Sequence, residues 1–434
     1  AQFLFPFSIM TVDQAMRAVA RSKNVTQLLV EMSNKVVIFD EVHNYDPYMM
    51  EYIKRLLSWL KVYHAPVIML SATMATSQKE KLFSVYSETD LENLLADGHE
   101  YPCITTCCKN TFQQWLPAHH ERSSKRYHLN YKDVPNLKRV DVMVKDVLDA
   151  TQKYDTIFVI RNTIKNAVDL YDALKDSADA KDVRLILFHS MMPEEYKIHR
   201  TNFLLNAYGK NGFFGPLSDK PKKSIVIATE VIEQSMDISC DMLFTDLAPI
   251  TELLQRIGRE IRFGNRMDAD VCVWGSDIHK LNEYQARSLI YHRALLDATL
   301  QCLFQKTADQ TITVPEMNVE MIEKVERKMQ ESDYYNDYCE KEEERAQNAK
   351  MRLIPSPDQL VCGFFTTGAM SKENEKTRDS DYASVIVILL SEDLWKKYED
   401  KKLQALTEKQ KADLIYHFGV TIPSYRLKKI EDIV

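Results

Sequence analysis

The sequence predicts an α/β protein built on parallel sheets and divided into more than one domain. Three observations carry this. Apolar runs end abruptly in polar or small residues at V-V-I-F-D-E-V-H (Val36–His43), V-I-M-L-S-A-T (Val67–Thr73) and I-V-I-A-T (Ile225–Thr229). Near-continuous apolar runs of this length suit strands buried on both faces of a parallel sheet. Between the runs lie segments with helical apolar spacing, and strand–helix alternation argues for βαβ crossovers. The length, 434 residues, predicts two to three domains.

Composition sets outer bounds. Hydrophobic residues make up 45% and charged residues 27%, enough for ordinary cores. No apolar run reaches the ~18–20 residues of a membrane span, and A-Q-F-L-F-P-F-S-I-M lacks the charged start of a secretory signal. Eight cysteines are scattered without a framework spacing, which predicts reduced thiols and a cytoplasmic location. The net charge of −7 gives no support for nucleic-acid binding by the chain as a whole. Any DNA contact must come from a local groove, through backbone amides, hydroxyls and a few basic residues.

In chain order, T-V-D-Q-A-M-R-A-V-A-R predicts a helix, with Ala15, Met16, Val19 and Ala20 at helical steps and Thr11 suited to cap it. Strand Val36–Phe39, helix Pro47–Lys61 and strand Val67–Leu70 form a βαβ unit, the helix presenting Met50, Ile53, Leu56, Leu57 and Leu60 on one face. Helix Glu80–Tyr86 and a turn-rich stretch (Asp97-Gly98, Tyr101-Pro102) close this part. Cys103, Cys107 and Cys108, with His119 and His120, do not have the pairwise spacing of a structural zinc site.

Residues 130–275 alternate again. Helices are predicted near Val140–Ala150, Thr163–Lys175, Pro193–Leu205 and Thr251–Arg262; strands are predicted at Thr156–Ile160, Val183–Phe188, Ser224–Thr229 and Val271–Gly275. This implies a second doubly wound sheet. Asn162 or Thr163 suits a helix cap. Residues 211–223 read as an inserted loop; its Phe213, Phe214, Lys220, Lys222 and Lys223 would alternatively grip a single strand. Ile278–Lys306 is apolar-periodic, and Glu316–Met351 is charged and glycine-free, a solvated helix or linker. Beyond Pro355 come short apolar runs, Ala383–Leu390 and V-T-I-P.

Ligands of parallel sheets bind beyond the carboxyl ends of the strands. Asp40 and Glu41 are therefore predicted at a nucleotide, Asp40 holding Mg²⁺ and Glu41 polarising an attacking water. A plain acidic strand end is the alternative. In P-I-T-E-L-L-Q-R-I-G-R-E-I-R, Gln255 and Arg259 lie at i, i+4, and Arg259 and Arg262 at i, i+3, hence on one helical face. Guanidinium forks at those steps suit the charge that spreads over a γ-phosphate during transfer.

D-E-V-H, S-A-T and Q-R-I-G-R-E-I-R, in that order, resemble motifs II, III and VI of superfamily 2 helicases. T-V-D-Q (Thr11–Gln14), F-H-S-M-M (Phe188–Met192) and A-T-E-V-I-E-Q-S-M-D-I (Ala228–Ile238) narrow the resemblance to the helicase portion of the type I CRISPR-associated helicase–nuclease, over residues 1–275. The resemblance implies two RecA-like domains, the first incomplete (1–128 and 129–276), a helical linker (277–354) and a small C-terminal accessory domain (355–434). It implies a cleft between the two sheets, with motif II on one side and motif VI on the other. The implied cofactors are ATP and Mg²⁺, held at Asp40 and Glu41.

The same resemblance has His43 and Gln255 link the domains and makes Arg259 and Arg262 arginine fingers. It counts Arg256 and Asp237 among the nucleotide-binding residues, with Arg256 organising the cleft and Asp237 contacting the ribose or the motif VI arginines. Thr11, Gln14, Ser71, Thr73 and Thr229 would touch DNA or couple ATP state to it. The implied activity is translocation on single-stranded DNA with unwinding, in antiviral defence, after recruitment to an R-loop by a Cascade-type RNA-guided surveillance complex. Met191 departs from the arginine common at its position, and Glu230 from the usual glutamine. His189 suits a structural histidine.

No G-x-x-x-x-G-K-[ST] and no His-Asp dipeptide occurs. The chain is therefore expected to be a portion of a larger protein that begins part-way through its first RecA-like domain, and to hydrolyse ATP poorly alone. A stand-alone degenerate protein, a helicase-shaped adaptor and an RNA helicase of another branch are the alternatives.

Overall fold

The computed structural model describes residues 5–21, 25–42, 45–71, 74–86, 103–108, 111–115, 124–134, 140–177, 182–210, 222–233, 236–264, 266–275, 290–304, 309–315, 317–359, 384–388, 407, 409, 414, 416–417 and 419–423. The chain divides into two compact units. Unit 1 comprises 1–122 and 318–380, and unit 2 comprises 123–317 and 381–434.

In unit 1, β1 (Val37–Phe39) and β2 (Val67–Met69) pair in parallel, Val37 opposite Val67. Helix α3 (Pro47–Val62) crosses between them. Pro47 pre-sets the first helical turn, and the Asp46 carboxylate caps it by accepting from the Met49 N–H at 2.8 Å. Tyr48, Ile53, Leu56, Leu57 and Leu60 of α3 are buried in the core with Phe39.

The two strands are not buried on both faces, contrary to the sequence reading. Val36, Ile38, Ile68 and Leu70 are between 45% and 59% exposed. Alternate residues point to opposite faces, and α3 covers one of them. Among the described residues this sheet has two strands.

Helix α1 spans only Val12–Met16, and α2 spans Val25–Met32. The predicted longer first helix stops because Ala20 pairs with Leu353 and the Val19 carbonyl accepts from the Ile354 N–H. Helix α4 runs Thr76–Tyr86, starting one turn before the predicted Glu80. An antiparallel hairpin, β3 (Ile104–Cys108) with β4 (Thr111–Trp115), follows where none was predicted. Asp97-Gly98, Tyr101-Pro102, His119 and His120 lie outside the described residues. Among the described residues no group of three or more His, Cys, Asp and Glu side chains is placed to hold a metal ion.

Unit 2 is organised on a sheet with described strand order β11-β5-β10-β9-β6-β8-β7. These are β5 (Lys125–Asp133), β6 (Thr156–Ile160), β7 (Arg184–Phe188), β8 (Ser224–Ala228), β9 (Met242–Asp246), β10 (Asp268–Gly275) and β11 (Asp309–Val314). Only β11 is antiparallel within it. Every residue of β6, β8 and β9 is buried, as apolar runs covered on both faces should be. The helices that alternate with the strands are α5 (Val140–Ala150), α6 (Ile164–Asp176), α7 (Glu194–Tyr208) and α8 (Ile250–Ile257). Thr163 caps α6 by accepting from the Asn166 N–H at 3.0 Å.

The stretch expected as a linker is divided between the units. Helix α9 (Arg293–Phe304) lies in unit 2, where Phe304 stacks on Tyr131 of β5 at 5.1 Å. Helices α10 (Asn318–Met329) and α11 (Tyr335–Arg352) lie in unit 1. There Ala349, Leu353 and Ile354 are buried against α3, and Arg55 and Trp59 donate to the carbonyls of Ile354 and Pro355 at 3.0 and 3.2 Å. Further on, β12 (Ser384–Ile388) pairs antiparallel with β13 (Gly419–Pro423). His417 meets Glu195 of α7 at 2.7 Å.

Candidate functional site

In unit 1 the predicted residues lie at the acidic end of β1. Asp40 and Glu41 are exposed where the strand stops, and the Asp40 carboxylate accepts from the Glu41 N–H at 3.1 Å. Glu41 has φ 54°, the left-handed region, which costs a non-glycine residue about 1–3 kcal/mol. Leu70 N–H donates to the Phe39 carbonyl and Val42 N–H to the Leu70 carbonyl, at 2.9 and 3.2 Å. These bonds keep the two strand ends side by side, so half-buried Ser71 lies beside the acidic pair.

Tyr45 donates to the Asp40 carbonyl at 3.4 Å, and its hydroxyl is pushed up to about 12 by burial and by the charges of Asp40 and Asp13. Asp13 of T-V-D-Q thus shares this surface. Thr11 is exposed, and Gln14 accepts from its N–H at 3.3 Å, a helix-capping contact. His43 and Thr73 lie outside the described residues.

In unit 2 the predicted residues lie at the end of α8 and in the turn after it. The four polar residues predicted there are in different surroundings. Gln255 is half-buried. Arg256 is fully buried and its guanidinium is committed inside the protein. It donates to Glu233 at 2.7 Å, to Asn162 and the Thr245 hydroxyl at 2.9 Å each, to the Asp246 carbonyl at 3.1 Å and to the Tyr291 hydroxyl at 3.2 Å. The expectation that Arg256 touches the nucleotide is therefore corrected: it sits behind the site and fixes its wall. Burial pushes the Glu233 carboxyl up while Arg256 pulls it down.

A second buried pair backs the first. Arg161 donates through Nε to both Asp246 oxygens at 2.9 Å, and Asp246 also accepts from the Asn162 N–H at 2.9 Å. Arg161, Glu233, Asp246 and Tyr291 were not singled out from the sequence, and Asn162 was named only as a candidate helix cap. One signal was present: M-L-F-T-D is an apolar run ending in a carboxylate, the same pattern that drew attention to Asp40.

Arg259 is half-buried and donates to the backbone carbonyls of Glu233 and Met236. Arg262 is exposed and ion-pairs with exposed Asp237. Of the two predicted fingers, Arg262 alone presents an exposed guanidinium; Arg259 spends its donors on the E-V-I-E-Q-S-M-D turn. Thr229 is fully buried and its hydroxyl has no hydrogen-bond partner in the protein. The expected contact of Thr229 with DNA is therefore not offered at the surface. His189 is also buried, and burial lowers its pKa against the pull of Glu230. Lys222 and Lys223 are described, Lys223 donating to the Thr151 carbonyl at 2.7 Å; Phe213, Phe214 and Lys220 lie outside the described residues.

Glu260 sits between these arginines. It is fully buried and neither carboxyl oxygen has a hydrogen-bond partner. Burial pushes its carboxyl well above the usual range, with Arg266 pulling down and Asp270 and Asp241 pushing further up. Folding therefore favours the neutral form of Glu260, whereas the unfolded chain ionises it near about pH 4.3. Its contribution to stability is complete below that pH and is lost as the pH rises toward the folded value. Glu260→Gln removes the ionisation and keeps the shape. The variant is expected to be more stable than the parent above about pH 4.3, with the gain growing as the pH rises and vanishing below that value. Thermal unfolding across this range checks it; a gain that does not change with pH refutes it.

Both units are built on parallel strands, the larger sheet covered by helices, which is a RecA-like architecture. Residues 153–265 match the family described as CRISPR-associated nuclease/helicase Cas3, C-terminal. The Cas3 nuclease/helicase of Streptococcus thermophilus is 32% identical over 260 residues, which covers 58% of this chain and 26% of that protein. A crystal structure of T. fusca Cas3 with ATP superposes with a TM-score of 0.81 at 24% identity, covering 97% of this chain and 51% of that one. A chain of a CRISPR RNA-guided surveillance complex, pre-nicking, superposes with a TM-score of 0.75 at 24% identity, covering 97% and 54%. These two solved structures show the fold. The present chain spans about a quarter of its S. thermophilus relative and about half of each solved chain.

Proposed function

We propose that this chain carries the motor of type I CRISPR interference: ATP-driven translocation along single-stranded DNA, with unwinding of the duplex. The observation that carries this is the turn that exposes Arg262 on Asp237 while Arg256 and Arg259 are consumed in holding it. That is the division of labour an arginine finger needs: one exposed guanidinium on a rigid mount. The exposed oxygens of Asp40 and Glu41 fit a hard cation such as Mg²⁺, which when bound would neutralise charge on a triphosphate. Glu41 would orient the attacking water. Recruitment by an RNA-guided surveillance complex at an R-loop follows the likeness to Cas3 proteins.

The phosphate-gripping loop that such a site uses is not in these 434 residues. We propose that it comes from polypeptide outside them, and that the exposed face formed by Val36, Ile38, Ile68 and Leu70 is what that polypeptide covers. The 434-residue chain by itself is then a poor ATPase. The expected result is hydrolysis at least about 10³-fold below the ~1–10³ s⁻¹ of ordinary enzymes, even with saturating single-stranded DNA. Turnover by the chain alone at an ordinary helicase rate refutes this.

A further inference from the structure

We propose that Lys125, at the start of β5, is the positioning residue that holds the turn Arg259–Arg262 in the conformation that exposes Arg262. The proposal rests on the assignment of Arg262 as the finger.

Backbone contacts hold the turn from two sides. On one side, Cys240 N–H donates to the Arg259 carbonyl at 3.0 Å, and the Ile261 N–H donates to the Cys240 carbonyl at 2.9 Å. On the other side stands β5. Its buried Tyr127 donates to the Glu260 carbonyl at 3.3 Å. Its Lys125 ammonium donates to the carbonyls of both Ile261 and Arg262, the latter at 3.1 Å.

The conformation so held is one the residues would not choose. Ile261 has φ 42°, in the left-handed region that a β-branched side chain disfavours. Such a residue persists only where its surroundings over-determine it. In this turn two successive carbonyls converge on one ammonium, and a charge-assisted bond to each rewards that arrangement over a relaxed one. Without the cation, the two carbonyls lose their shared partner and the turn is free to relax. Arg262 then leaves its place beside Asp237.

A second effect acts in the same direction. Lys125 and Arg262 are like charges at close range; burial and then Arg262 push the ammonium pKa down. Their repulsion keeps the guanidinium from folding back over the turn, toward the ammonium that holds it. Lys125 was not singled out from the sequence, because K-R-Y-H-L-N-Y-K-D carries no motif.

The test uses Lys125→Met, Lys125→Arg, Tyr127→Phe and Arg262→Ala. Steady-state ATP hydrolysis is measured in the protein as its cell makes it, with single-stranded DNA. Amide exchange at Ile261 is measured in the 434-residue chain. Lys125→Met is expected to lower kcat by about 10–100-fold with KM within about twofold, the scale of a finger displaced by about an ångström. Exchange at Ile261 rises by at least about tenfold, because its bond to Cys240 opens with the turn. Lys125→Arg restores most of kcat, since it keeps a cation with several donors.

If Lys125→Met leaves kcat unchanged while Arg262→Ala lowers it, the positioning role is overturned and the finger stands. If Arg262→Ala itself leaves kcat intact, the finger assignment falls and Lys125 falls with it. Should Lys125→Met fail to fold, Tyr127→Phe decides. It removes one contact to the same turn, and a kcat equal to wild type overturns the proposal.

Discussion

Arg256→Met is expected to destabilise unit 2 by about 3–5 kcal/mol, the cost of leaving a buried charge without its partner. Arg256 has no exposure and Glu233 very little, so solvent cannot replace the lost pair. The Glu233 carboxyl is already pushed up by burial, and Arg256 is what pulls it back. Without the guanidinium, Glu233 takes up a proton, and the acceptors on Asn162 and Thr245 lose their donor. Urea unfolding, with amide exchange in β8 and β9 reporting on unit 2, measures the loss. The double variant Arg256→Met/Glu233→Met is expected to recover more than half of it, because two apolar side chains remove both charges together. A loss below about 1 kcal/mol in the single variant would show that the layer is dispensable.

Arg262→Ala is expected to lower ATP turnover by about 10³-fold, or about 4 kcal/mol, in the ATP-hydrolysing protein. Stability should change little, since Arg262 is exposed and its pair with Asp237 is a surface ion pair worth at most about 1 kcal/mol. Arg259→Ala should show the opposite balance. It removes two donors to backbone carbonyls, so unfolding is affected as well as turnover. Comparing kcat and the unfolding midpoint for both variants separates the finger from its mount. An Arg262→Ala enzyme with turnover near wild type would leave the adaptor reading in possession of the field.

Much of this was legible in the sequence, for identifiable reasons. β6 and β8 are apolar at every step after their first residue and buried throughout, and the run shows this directly. Helix α3 showed its buried face by periodicity and its start by Asp46-Pro47. Strand β5 was invisible: K-R-Y-H-L-N-Y-K-D buries only Tyr127 and Leu129, and the remaining positions are polar. β1 was read as buried twice over, because sequence shows how apolar a strand is and not how many of its faces are covered. The arginines of Q-R-I-G-R-E-I-R show the same limit. Helical spacing put Arg259 and Arg262 on one face, yet one reaches inward to carbonyls and the other faces solvent. That difference arises because the helix ends at Ile257, short of the predicted Arg262 and before either arginine, and Ile261 then takes a positive φ that no spacing rule contains.

The way α11 returns to α3 bears on the order in which the protein assembles as it is synthesised. Arg21, Arg55 and Trp59 find backbone partners 296 to 332 positions later. The first-made portion of unit 1 therefore leaves the ribosome with part of its core still open. Unit 2, except for its last segment, is translated in full before that core can close. A slow loop closure over such a separation leaves apolar α3 surface uncovered for as long as translation of the intervening residues takes, and in that interval a chaperone has its best opportunity to bind.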